Sequence, residues 1–427
     1  MIVAGALTLL TIAGWASGRL PEHVVALAFF VLAVLFRVAP ASVVFSGFTS
    51  SALWLIFGGQ IMGIAIRHTG LARRIAEESA RYIGTRSYPA VIAGVVTLGV
   101  LLSFFMPSAM GRVMLLMPIA VALADQYGFV EVGGGRNGVL LAAAFGTTVP
   151  AFAILPANVP NAVLLGAADA HGIAIGYLEY LALHFPVLGI VRAIAIVLIL
   201  VALYPARLPT KRFEPGPRAP LSRDERKVAL LVTIALLLWA TDSLHGVQPA
   251  WVSLAVGVVL LTLGSGVLPP RAFNEQVGYA SLFFVAGVLG VGAVLTHTGT
   301  ATALGRTVSS LLPLSPHRHG LNFASLATLG AALGLLTTAP GLPAVMTSLV
   351  GPLAEATGLP LRTVLMSEAL GYSNILLPYQ SPPLVVASQL AQVPSRATAG
   401  ACVALFVVTS ALLLPLDYLW WRLLGWS

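Results

Sequence analysis

Two arginines and one glutamate stand inside stretches that are otherwise apolar: Arg112, Arg192 and Glu368. A charge held in hydrocarbon is costly, and where one persists it pairs, braces or binds. The guanidinium of Arg112 has the fork geometry to hold a carboxylate or sulfate through two parallel hydrogen bonds. The carboxylate of Glu368 suits proton coupling or gating, or pairing with Arg112. Arg192 reads as half of a structural pair or as an interface position. Uncharged polar residues cluster beside proline and glycine in the same stretches. One group is Met106-Pro107-Ser108-Ala109-Met110-Gly111-Arg112, and a second is Thr337-Thr338-Ala339-Pro340-Gly341-Leu342-Pro343. Two longer ones are Gly146–Asn161, with Thr147, Thr148, Asn158 and Asn161, and Gly371–Pro383, with Ser373, Asn374, Gln380 and Ser381.

The elements that carry these residues are helices in a bilayer. The 427-residue chain is 58% hydrophobic and 9% charged, with mean hydropathy +0.93. A water-soluble domain carries about 25% charged residues, so this chain cannot cover a water-facing surface. Its apolar runs are helix-length and not alternating, which excludes a β-barrel. The net charge of +8 sits in short connections and reads as topology, not as a nucleic-acid surface. Cys402 is the single cysteine and reads as a packing residue. Residues 1–17 read as a retained helix rather than a cleaved leader.

Breaks in helices at membrane depth leave backbone groups open, and these are tolerated where they line a cavity. Half-helix N-termini attract anions, and unwound carbonyls attract cations. One proline kink means little. Four breaks in two matched pairs point to a transport site, with Ser108, Arg112, Thr147, Thr148, Asn158, Asn161, Thr337, Thr338, Ser373, Asn374, Gln380 and Ser381 as substrate-binding candidates and Glu368 as a coupling or gating residue.

The matching rests on an internal repeat. Residues 54–76 align with 282–305, sharing Gly58/Gly287, Gly63/Gly292 and His68-Thr69-Gly70/His297-Thr298-Gly299. NGVLLAAAFG (137–146) then aligns with RTVLMSEALG (362–371), and PANVPNAV (156–163) with PYQSPPLV (378–385). The first repeat is 1–204, with a hairpin at 88–124 and a broken helix at 138–168. A polar linker, 205–227, follows with seven basic residues and five prolines. The second repeat is 228–427, with a hairpin at 321–356 and a broken helix at 361–391. Residues 70–84 read as an amphipathic helix on the membrane surface.

If both hairpins are re-entrant, each half has five full spans, and an odd number inverts the second copy. The inner connections then carry Arg19, Arg67, Arg73, Arg74, Arg81, Arg86, Arg136, the linker's seven, Arg271 and Arg396, or 16 Lys and Arg. The outer ends carry five: Arg37, Arg306, Arg318, Arg362 and Arg422. That asymmetry puts linker and surface helix in the cytoplasm. The expected fold class is therefore an all-α polytopic membrane protein of two inverted repeats, each of five transmembrane helices plus one hairpin.

The order of surface helix, hairpin, broken helix, linker and repeat resembles the divalent anion/sodium symporter family. The likeness runs from about residue 20 to 425. It is clearest in GLARRIA (70–76), MLLMPIAVALA (114–124) and AAAFGTTVPAFAILPANVPNAV (142–163). The resemblance implies an elevator-type homodimer, a carboxylate or sulfate-like substrate, and no cofactor beyond Na+ or H+ as coupling ion. Sodium would sit near Ser108, Gly146, Gly341 and Gly371. The chain departs from the family's Ser-Asn-Thr hairpin tips: Ser108-Ala109-Met110 stands at the first, and Pro340-Gly341-Leu342 near the second. Uptake is therefore expected to depend little on a sodium gradient.

The leading expectation is a secondary transporter of a small anion in a bacterial inner membrane, either a symporter or an exchanger. An arsenite- or cation/proton-type carrier of the same superfamily is the near alternative. A membrane-embedded enzyme would need a clustered catalytic set, and none is visible. A passive channel would leave the matched breaks unexplained. There is no Walker-type nucleotide loop.

Overall fold

The computed structural model describes residues 2–75, 78, 87–129, 133–208, 220–262, 267–269, 271–335 and 337–426, except Gly18. Every regular element among the described residues is helical. In the first half these are α1 (Ile2–Ser17), α2 (Glu22–Leu35) and α3 (Ser51–His68). Two hairpin arms follow, α4 (Tyr88–Phe105) and α5 (Ala109–Gln126). A broken helix comes next: α6 (Gly134–Thr148), two short 3₁₀ turns, then α7 (Val159–Ala170). The half closes with α8 (Tyr177–Leu203).

The second half repeats the order. It opens with α9 (Arg223–Ala240), α10 (Pro249–Thr262), α11 (Tyr279–His297) and α12 (Thr300–Leu311). Hairpin arms α13 (His319–Gly334) and α14 (Leu342–Thr357) precede a second broken helix, α15 (Leu361–Tyr372) and α16 (Pro382–Leu390). The last helix is α17 (Ser395–Leu423).

By length and composition, α4, α5, α8, α11 and α17 could each cross a membrane. At about 1.5 Å per residue, each 18-residue arm of the first hairpin reaches about 27 Å, close to the hydrocarbon thickness.

Glycines set the helix crossings, and the crossings recur in each half. A Cβ on Gly99 would come 2.6 Å from the Gly146 carbonyl carbon, and one on Gly330 would come 2.7 Å from Gly371 Cα. In both halves, then, the first hairpin arm crosses the broken helix glycine to glycine. The aligned pair Gly58/Gly287 behaves the same way. Gly58 packs bare backbone onto Ser253 and Leu254 of α10, and Gly287 packs onto Ala26 of α2. Each half thus lays its second helix against the other half's pre-hairpin helix, and the shared core runs continuously across both. Close backbone approach of this kind is how helices associate where lipid removes the hydrophobic drive.

The last helices match in another respect. Each contains a π-helical stretch, Phe185–Val191 in α8 and Thr409–Leu413 in α17. Pro186 and Pro415 each lack the N–H that an α-helical turn would use, and the wider turn accommodates the loss.

Two sequence readings change, and a third lies partly outside the described residues. Arg223–Lys227 are not linker but the first turns of α9. Ser222 accepts from Glu225 N, and the Glu225 side chain accepts from Ser222 N, a capping box strong enough to start the helix there. Of the segment 70–84, residues 71–75 are helical, while 76, 77 and 79–86 lie outside the described residues, as do 209–219 of the linker. Arg74 Nε donates to Glu225 Oε1 at 2.8 Å, which puts residues 71–75 and the start of α9 on one side of the molecule. That guanidinium holds the Glu225 carboxyl below its usual range. Finally, α12 has no counterpart among the apolar runs. It stands where the His-Thr-Gly repeat would place a copy of the surface segment. Its Ser and Thr content hid it from a search for hydrophobic stretches.

Candidate functional site

Both hairpin tips and both helix breaks open on one cavity of about 640 Å³. From the first half come Pro107, Ser108 and Gly111 at the tip and Thr148, Pro156 and Asn158 at the break. From the second come Ala339 and Pro340 at the tip and Ser381 and Pro382 at the break. No single stretch of sequence forms the cavity; it exists because the two halves interlock.

Four of the sequence candidates are on its wall: Ser108, Thr148, Asn158 and Ser381. Ser108 caps α5, accepting from Gly111 N at 3.1 Å, and its hydroxyl hydrogen is not used by that bond. Asn158 caps α7 through Asn161 N at 3.2 Å, and its Nδ2 has no partner although it is buried. Thr148 returns its hydroxyl to Ala144 O at 2.7 Å. Ser381 starts α16 without a side-chain cap bond.

The remaining candidates stand behind the wall. Arg112 is fully buried. Its guanidinium and Nε donate to the carbonyls of Met106, Ala157 (2.9 Å) and Thr147 (3.1 and 3.3 Å). It therefore ties the first hairpin tip to both edges of the first break, and it does not line the cavity. Asn161 donates to Ile154 O at 2.8 Å inside the same break. In the second half Gln380 does the tying. Its Oε1 accepts from Leu376 N and Leu377 N at 2.8 Å, its Nε2 donates to Gly334 O at 2.7 Å, and its carbonyl accepts from Ala339 N at 2.7 Å. Asn374 donates to Ser410 Oγ at 3.1 Å. Thr337 is buried beside Gly341, and Thr338 lies beside the Glu22 carboxylate.

Glu368 is fully buried and accepts from Thr347 Oγ1 at 3.0 and 3.1 Å. Among the described residues it forms no ion pair with Arg112. Arg192, just after the π stretch of α8, donates to Ser373 O at 3.2 Å, with Asp417 of α17 as its electrostatic partner. Beside it, Tyr180 donates to Phe152 O at 2.8 Å and shares a 2.9 Å hydroxyl contact with Tyr372. The two final helices thus hold both breaks from behind.

Sequence reasoning missed Arg67. It was counted as a topology charge, yet it lines the cavity. Its Nη1 lies 2.5 Å from where a Cβ on Gly111 would stand and 3.6 Å from one on Gly63. The guanidinium therefore lies along bare backbone at the first tip. Gly63, one helical turn earlier on the same face, was the available signal.

Arg112 puts a positive charge among the groups expected to hold a sodium ion at the first tip. The unwound carbonyls of Met106, Thr147 and Ala157 that would ligate it already accept from Arg112. Gly146 and Gly371 serve as close crossings of helices. Among the described residues no cluster of His, Cys, Asp and Glu could hold a metal.

Comparison with known proteins adds the following. The chain matches the family described as sodium:sulfate symporter transmembrane region over residues 2–427. It is 26% identical over 406 residues to a protein of Cupriavidus necator described as a membrane protein, covering 89% of this chain and 76% of that one. It is 25% identical over 315 residues to dicarboxylate transporter 1, chloroplastic, of Spinacia oleracea, covering 70% of this chain. The match spans about half (54%) of that relative's length. Among solved structures, the Alcanivorax borkumensis YdaH transporter, described as having an unusual topology, aligns with a TM-score of 0.57 at 17% identity. The alignment covers 90% of this chain and 87% of that one, and at this identity it is a likeness of fold.

Proposed function

This chain belongs to the sodium:sulfate symporter family, the divalent anion/sodium symporters, and on that premise we propose that it is a secondary carrier of a small di- or tricarboxylate or sulfate-like anion. It is a multi-pass membrane transport protein and not an enzyme. The observation that carries the reading is the single cavity on which two hairpin tips and two helix breaks converge. Irregular backbone at membrane depth needs such a cavity, and its open groups supply directional contacts for a ligand. The name of the spinach relative supports a dicarboxylate.

The carrier works by alternating access in elevator fashion, as a homodimer with inverted halves in a bacterial inner membrane, with linker 205–222 facing the cytoplasm. Reciprocal packing of the halves supports the inversion. Coupling is independent of sodium, because Arg112 occupies the carbonyls a cation would need at the first tip. Exchange of one anion for another is then the simplest cycle.

Purified protein in liposomes, loaded with succinate, citrate or sulfate, tests this. Uptake of labelled anion should depend on anion inside and change little when sodium is replaced by potassium. Uptake strictly proportional to sodium, with no effect of internal anion, would refute the coupling. Failure to move any of the three would remove the carrier reading.

A further inference from the structure

The cavity is not electrically uniform. Among the described residues that line it, only Arg67 and Glu22 carry charge. Arg67 lies against the first hairpin tip, along Gly111 and Gly63. Glu22 lies beside Thr338 of the second tip, with His23 as its neighbouring charge. One end of the cavity is therefore positive and the other negative.

The two other arginines deep in the fold are both engaged. Arg112 donates to three backbone carbonyls, and Arg192 donates to Ser373 O and faces Asp417. Arg67 differs: among the described residues its side chain makes no hydrogen bond and no ion pair. A half-buried guanidinium that faces a cavity with no counter-ion from the protein is open to one from a ligand. A ligand with two oxygens side by side would supply it, since the fork of a guanidinium matches a carboxylate or sulfate. Nearby groups agree. Gly111 and Gly63 leave room over the backbone, the Ser108 hydroxyl hydrogen is available, and the Asn158 amide has an unpartnered donor on the same wall. These are donors, as an oxyanion requires.

We propose that Arg67 binds the anionic group of the substrate, a carboxylate or sulfate, at the first hairpin tip, and that Glu22 directs the ligand's less negative end to the second. The assignment rests on the carrier reading and adds to it a residue and an orientation. Glu22 sets the polarity by repulsion: a second carboxylate reaching it would meet a like charge.

The test is equilibrium binding of labelled succinate and of labelled sulfate to the full-length protein in detergent, followed by uptake in liposomes. The two anions separate a carboxylate from a sulfate site. Arg67→Gln should weaken binding of the preferred anion by at least about 30-fold, the loss typical when one partner of a buried charge contact is removed. Arg67→Lys should fall between, because a point charge keeps attraction but loses the fork. Glu22→Gln should bind succinate more tightly than the parent, because the like charge facing its second carboxylate is gone. Folding is checked by thermal unfolding of each variant. Should Arg67→Gln not fold, Gly111→Ala decides, since its methyl displaces the guanidinium and should also weaken binding. Arg67→Gln, or in its place Gly111→Ala, binding within twofold of the parent would overturn the assignment. So would Glu22→Gln losing succinate as severely as Arg67→Gln. Those results leave the carrier reading intact. A parent protein that neither binds nor moves either anion overturns both.

Discussion

The two hairpin tips open on the same cavity but are held by different chemistry. At the first, a fully buried guanidinium gathers three carbonyls from the tip and the break. At the second, a neutral amide does equivalent work: Gln380 satisfies Leu376 N, Leu377 N and Gly334 O, while its own carbonyl receives Ala339 N. The second break also borrows a cation, because Arg192 reaches Ser373 O from the first half. The packing around both tips is the same, with Gly99 on Gly146 and Gly330 on Gly371. The halves have therefore kept the contacts that position backbone and diverged in the groups that satisfy it. Backbone position is a matter of shape that both copies need. Any donor of adequate reach can close an open carbonyl.

The largest expected effect breaks the charged tip. The sequence alone leads one to expect Arg112→Ala to abolish anion binding in an intact fold. The carbonyl contacts lead instead to a loss of folding stability, since three buried carbonyls lose their donor at about 1–3 kcal/mol each. Thermal unfolding in detergent reads this directly. An unfolding midpoint equal to the parent's would show that the carbonyls are not held by Arg112.

Gln380→Ala addresses the amide-held tip. Each buried group left open costs about 1–3 kcal/mol, so this variant should lie below Arg112→Ala but remain clearly destabilised. If it proves the more damaging of the two, the contrast between a charged and a neutral anchor is reversed.

Gly146→Ala and Gly371→Ala probe what the halves share. An added methyl would meet Val96 backbone at 2.7 Å in one and Gly330 backbone at 2.6 Å in the other. Overpacking of that kind costs about 1–3 kcal/mol, and the two losses should be similar. A large loss in one half and none in the other would show that the matched crossings are not equivalent.

The smallest effect is outside the site. Arg74 with Glu225 is partly exposed, so Glu225→Gln should cost only about 0.2–1 kcal/mol. The Glu225 carboxyl is held below its usual range, so its contribution is present at neutral pH and is lost as pH falls through the folded-state value. A pH titration of the unfolding midpoint, parent against variant, should converge in acid. Divergence in acid would remove the pair as its source.

Much of the architecture is legible without coordinates. Low charge and helix-length apolar runs put the chain in a bilayer, and proline, glycine and Ser or Asn caps mark where its helices break. These are local signals: a proline ends a turn whatever lies across from it. Hydropathy does not reveal the capping box at Ser222 or the Ser- and Thr-rich α12, because cap chemistry and hydroxyl content carry no apolar signal. The division of labour among the charges was not legible. Arg112 looked like a ligand for an anion and is a brace, and Arg67 looked like a topology marker and lines the cavity. An arginine reaches several ångströms from its own backbone, and what it meets depends on which distant segments fold into that sphere. Composition and local chemistry settled that this is a helical membrane protein whose helices break at proline and glycine. Only the interlocking of the two halves decided which carbonyls, glycines and guanidinium groups meet at them.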